Sequence, residues 1–107
     1  MKKSTISILL IIVFICSLYA NADTDLLAGA ENSDIEKVKT ALKKGANVNT
    51  KDDNGATALM IASRNGNIEI IKLNLDKKAN INSTSELGWT ALMDASVNGH
   101  KDVVKLL

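Results

Sequence analysis

From Thr57 onward the apolar positions follow a helical rhythm. Leu59 and Ala62 lie three apart, Ser63 comes next, and Met60 and Ile61 sit alongside. Thr57 precedes them as an N-cap, because its hydroxyl can accept from an orphan amide of the first helical turn. Asn65-Gly66 predicts a stop, since glycine takes the left-handed conformation at a helix end without steric cost. A second helix follows, with Ile68, Ile71 and Leu75 on one face and Ile70 and Leu73 widening it. Gly45 ends the equivalent helix one unit earlier, and Asp52-Asp53-Asn54-Gly55 then reads as a turn. The predicted unit is therefore helix, tight turn, helix and hairpin-like loop.

The unit recurs. ATALMIASRNGN at 56–67 returns as WTALMDASVNGH at 89–100, and Gly55, Thr57, Leu59, Ala62 and Gly66 recur 33 residues later as Gly88, Thr90, Leu92, Ala95 and Gly99. Ala46-Asn47-Val48-Asn49 returns as Ala79-Asn80-Ile81-Asn82. Thr24, Leu26 and Val38 carry the pattern back into a first, more degenerate copy. A fixed period over so many positions predicts a stacked array, because no single copy can bury its apolar face alone. The small Ala62 and Ala95 let paired helices approach closely.

The N-terminus has a different pattern. Lys2 and Lys3 precede an almost unbroken apolar stretch from Ile6 to Tyr19, and Ala20-Asn21-Ala22 fits a small-x-small cleavage site. The stretch is 14 residues long, short of the ~20 that a spanning helix needs. An uncleaved anchor is the secondary reading. Lipidation is disfavoured because Ile15, not a small residue, precedes Cys16. The expectation is a signal peptide over 1–22, cleaved after Ala22, followed directly by a repeat domain over 23–107. Its units run over about 24–50, 51–83 and 84–107.

The repeat resembles the ankyrin family. Asp52, Gly55, Thr57, Leu59, Ala62, Gly66, Ile70, Ile71, Leu73, Leu75, Ala79 and Asn82 stand in register with that pattern. The next unit matches at Gly88, Thr90, Leu92, Ala95, Gly99, His100, Val103, Val104, Leu106 and Leu107. The resemblance covers Thr24 to Leu107 and implies an all-α solenoid of about two and a half units, the last one truncated. The chain stops inside its last helix without a polar capping helix, so the expectation is a fragment or an incomplete array that associates through Leu106 and Leu107.

Four departures from the family pattern carry expectations. Ala58 and Ala91 replace its proline, and Met60 and Met93 replace its histidine, so methionine packing must substitute for a polar link between units. Lys78 stands where Gly45 stood, which costs about 1 kcal/mol if it is held at positive φ. Asn74 stands at a core leucine position, and a buried amide without partners costs about 1–3 kcal/mol.

The resemblance implies a protein-binding surface built from hairpin tips and first-helix faces, with no catalytic pocket. The positions that vary between units are then the candidate contacts: Asp53, Asn54, Arg64 and Asn65 in the middle unit, and Glu86, Leu87, Trp89, Val97 and Asn98 in the last. Ala56, Glu31 and Asn32 share that register. Leu87 and Trp89 read as an apolar anchor, tryptophan being enriched at interface hot spots. Packing of Trp89 on its own hairpin is the competing reading.

Composition narrows the remaining chemistry. The net charge of +1 gives no reason to expect nucleic acid or an anionic membrane as partner. Removal of the leader takes Cys16, Lys2 and Lys3, which leaves no thiol and eleven basic residues against twelve acidic ones. No cofactor or metal site is expected. His100, the single histidine, occupies a structural position of the repeat. A calcium loop centred on Gly55 fails because Thr50 and Ile61 stand where carboxylates are required. Asn82-Ser83-Thr84 is a formal glycosylation triplet at a structural asparagine. Lys43-Lys44 and Lys77-Lys78 read as a solvated face near helix ends. There is no phosphate-binding glycine loop and no plausible Ser-His-Asp set.

The expected function is an exported, non-catalytic module that binds another protein, bacterial in its export signal and periplasmic or secreted. The alternative is a non-catalytic piece of a longer protein whose remainder carries another activity.

Overall fold

The computed structural model describes residues 8, 10–12 and 22–107. The expected leader and its cleavage motif lie outside the described residues, apart from Ile8, Leu10, Ile11, Ile12 and Ala22. The rest is a stack of helix pairs. Helix α1 is described over 22–31. It is followed by α2 (Ile35–Lys43), α3 (Ala58–Asn65), α4 (Ile68–Asp76), α5 (Ala91–Val97) and α6 (Lys101–Leu106). Among the described residues there is no strand. A single bridge pairs Lys51 with Thr57 in the first hairpin.

The predicted caps close these helices. The hydroxyls of Thr57 and Thr90 accept from the backbone N–H of Met60 and Met93, both at 3.3 Å. Asp34 and Asn67 do the same for α2 and α4, so the second helices are capped as deliberately as the first. Gly66 ends α3 at φ 74°. A Cβ there would also lie 2.6 Å from His100 Nδ1, so both backbone and neighbour require glycine at that position.

The unit register exposes two places where a side chain takes over a glycine conformation. Lys78 sits at φ 61°, in register with Gly45 at φ 90°, and Ser33 sits at φ 55°, in register with Gly66. The closing bonds are the same with either residue: Ala46 N–H donates to Ala41 C=O at 3.0 Å, and Ala79 N–H to Asn74 C=O at 3.1 Å. Lys78→Gly is therefore expected to raise stability by about 1 kcal/mol, read as a higher midpoint in urea at unchanged slope.

The core runs along the stack. Leu26, Val38, Leu59, Met60, Ile70, Ile71 and Val103 are the large apolar side chains sealed from solvent, and Ala62 and Ala95 are fully buried where first helices meet. Asn74 is buried at 0% exposure; its Nδ2 donates to Ile70 C=O at 2.8 Å, while Oδ1 has no partner.

Polar links tie the units along their edges. Asn80 N–H donates to Asn49 Oδ1 at 2.8 Å, while Asn47 N–H donates to Asp23 Oδ1 at 2.7 Å and ties the first unit to its own start. Lys51 Nζ donates to Thr84 C=O at 3.0 Å, and Glu86 N–H to Asn54 C=O at 3.1 Å. Asn65 Nδ2 donates to Ala30 C=O at 3.3 Å. His100 Nε2 donates to Arg64 C=O at 2.8 Å. The last two satisfy terminal carbonyls of the preceding first helix, which have no partner inside that helix.

Two expectations need correction. Met60 does pack, at 1% exposure, but Met93 is 49% exposed and substitutes for nothing. Leu107 is half-buried and packs against the core rather than forming a free edge. Leu106 is 37% exposed, as Val104 is, and the exposed apolar side chains of the last unit also include Leu92, Met93 and Val97. The reason is positional. Helix α3, which carries Leu59 and Met60, packs against α5, whereas Leu92 and Met93 of α5 and Val104 of α6 are left 43%, 49% and 37% exposed.

Candidate functional site

The two hairpins have one local construction. Asp52 Oδ1 accepts from the N–H of Asn54 at 2.8 Å and of Ala56 at 3.0 Å, which folds the tip back onto α3. Asp52 N–H then donates to Ala56 C=O at 2.9 Å. In the next unit Ser85 replaces Asp52. Its Oγ accepts from Trp89 N–H at 3.3 Å, and its own N–H donates to Trp89 C=O at 2.9 Å. Trp89 is thus fixed by its backbone at the root of the second hairpin, with its indole half-buried.

Between these hairpins and the first helices lies an open groove of about 530 Å³. It brings together five of the nine sequence-predicted contact residues, Asn54, Arg64, Glu86, Leu87 and Trp89, with Ala56 at its base. The other four lie outside it. Asp53 is exposed at the tip of the first hairpin. Val97 is 68% exposed at the end of α5. Asn65 spends its amide on the α1 carbonyls, and Asn98 Nδ2 donates to Asp94 C=O at 2.8 Å. Both asparagines therefore act first as helix-end links.

Sequence reasoning missed two residues of the groove, Ser85 and Asp94. Asp94 is 7% exposed. Its Oδ1 lies 3.6 Å from Arg64 Nε, so the groove floor carries an ion pair that joins adjacent units. A signal was present in the register: Asp94 aligns with Ala28 and Ile61, and a lone carboxylate at an apolar column is a sequence anomaly. Trp89 belongs both to the hairpin and to the lining of the groove. Its backbone builds the hairpin, and its ring forms groove wall. Leu87 is 86% exposed beside it.

The model of ankyrin repeats in three copies matches residues 26–107. The chain belongs to the ankyrin-repeat family. Comparison with curated proteins finds no match. Ankyrin repeats are generally protein-interaction modules and typically non-catalytic, and here the first ankyrin unit is the copy whose glycine position is filled by Ser33. Among the described residues there is no group of three or more His, Cys, Asp or Glu side chains placed to hold a metal ion. Among the same residues, no helix is long and apolar enough to cross a membrane.

Proposed function

We propose that this ankyrin-repeat chain is exported by its N-terminal leader, released by cleavage after Ala22, and binds another protein in the periplasm or outside the cell. The observation that carries the binding reading is the groove walled by Trp89 and Leu87. A largely exposed leucine beside a half-buried tryptophan, held on a bonded hairpin, offers apolar area with little ordering left to be done on association. The surrounding positions differ between units while the core positions repeat, which separates recognition from folding. No catalytic role is proposed for His100, whose ring is engaged with the Arg64 carbonyl.

A photo-crosslinking amino acid at Leu87, compared with one at Lys72 on α4, tests this in cells making the full chain. A discrete protein adduct is expected from position 87 alone. Trp89→Ala should weaken that association at least about tenfold, the loss typical of an interface anchor. Equal labelling from both positions, or adducts indifferent to Trp89, overturns the groove as the binding surface. N-terminal sequencing of the exported protein should begin at Asp23, and a first residue within 1–22 overturns the leader.

A further inference from the structure

Charge is segregated between the two helix layers. The first helices and hairpins, taken as 22–31, 46–65 and 79–97, hold seven acidic residues and two basic ones. The second helices with their flanking turns, taken as 32–45, 66–78 and 98–107, hold five acidic residues and nine lysines. A mature chain of net charge −1 is thus −5 on one layer and +4 on the other. The groove is lined only by residues of the acidic layer.

Within the groove the local balance points the same way. Arg64 is its one cation, and Asp94 already sits against it at 3.6 Å. Glu86 on the groove wall and Asp53 on the adjacent hairpin tip are exposed, and neither has an ion pair among the described residues. Screening limits the field to about 8 Å at physiological salt. An incoming chain therefore meets Glu86 and Asp53 ahead of the second-helix lysines, and the nearest cation outside the groove, Lys51, has its ammonium bonded to Thr84 C=O at 3.0 Å. Beside these carboxylates stand Leu87 and Trp89. Complementarity of charge selects the partner and speeds its arrival, while the apolar pair supplies the buried contact.

We infer that the groove takes a basic segment of a partner protein, an apolar side chain seated on Leu87 and Trp89 with lysine or arginine beside it facing Glu86 and Asp53. The inference rests on the groove being the binding surface. Selection of random peptides displayed on phage against the immobilised full chain tests both at once. Sequences rich in lysine or arginine next to leucine or an aromatic residue, poor in acids and lost against Leu87→Ala or Trp89→Ala, are the expected result. The double variant Asp53→Lys, Glu86→Lys should bind a selected peptide about tenfold more weakly in low salt. That difference should vanish in 1 M salt, where screening falls to about 3 Å. Circular dichroism confirms that each variant stays helical. Neutral or acidic peptides that still need Leu87 and Trp89 overturn the charge assignment and leave the groove standing. Peptides indifferent to both residues, or no selected peptides, overturn the groove itself.

Discussion

Leu59→Ala is expected to destabilise the protein by about 2–5 kcal/mol, the range for a buried leucine cut to alanine, while Leu92→Ala costs under about 1 kcal/mol. The two leucines occupy the same place in consecutive units, each two residues after a threonine cap. Leu59 is 1% exposed and Leu92 is 43% exposed. Truncating the first removes contacts on every side and leaves a cavity that rigid neighbours only partly fill. Truncating the second removes a side chain already half in water. Urea unfolding of the two variants beside the wild type measures the difference directly. Equal losses would mean that the last unit's face is covered in solution, as it would be in a self-associated form, and sedimentation of the same samples would reveal that form.

Asn74→Leu should raise stability by about 1–3 kcal/mol, the cost of a buried polar atom left without a partner. Asn74 Oδ1 is sealed from solvent with nothing to accept from. The Nδ2 bond to Ile70 C=O is dispensable, because a helical carbonyl is already the acceptor of the backbone bond four residues on. Leucine has the same branched heavy-atom skeleton, and the aligned positions in the other units are Ala41 and Leu107, both apolar. Asn74→Asp is the informative control. It places a carboxylate where an amide is already under-satisfied and should destabilise strongly. A leucine variant less stable than wild type would show that the site is too tight for two methyl groups, and the predicted sign would be wrong.

Much of the architecture was legible because it is local. Thr57 and Thr90 announce helix starts through a hydroxyl within reach of an amide three residues on. Gly66 announces a helix end through a backbone angle that few other residues tolerate. Asp52 folds its own hairpin through two bonds to amides within four residues. The strain at Lys78 was readable by register, because Gly45 one unit earlier shows which conformation that position requires. Ser33, at φ 55°, is the same case in the first unit, where the degeneracy of the repeat masks the register.

The candidate site was half legible. Variation between units marked Asn54, Arg64, Glu86, Leu87 and Trp89, which do converge. The same criterion admitted Asn65 and Asn98, whose amides are occupied at helix ends, and Val97, which stands away from the groove. Asp94 is marked in the register as a carboxylate at an apolar column, but its pairing becomes visible only when Arg64 of the preceding unit is placed beside it.

The amino-acid sequence by itself determined the unit, its period of 33, its caps and turns, and the fact that copies must stack. Those properties depend on residues a few positions apart, or on identity repeated at a fixed interval. The tertiary structure alone decided which copy of a repeated residue is core. Leu59 and Leu92, Met60 and Met93, Ile71 and Val104 are matched in chemistry and in local setting. Burial, however, is set by what lies next along the stack, and the hydrophobic effect acts on area removed from water rather than on residue type.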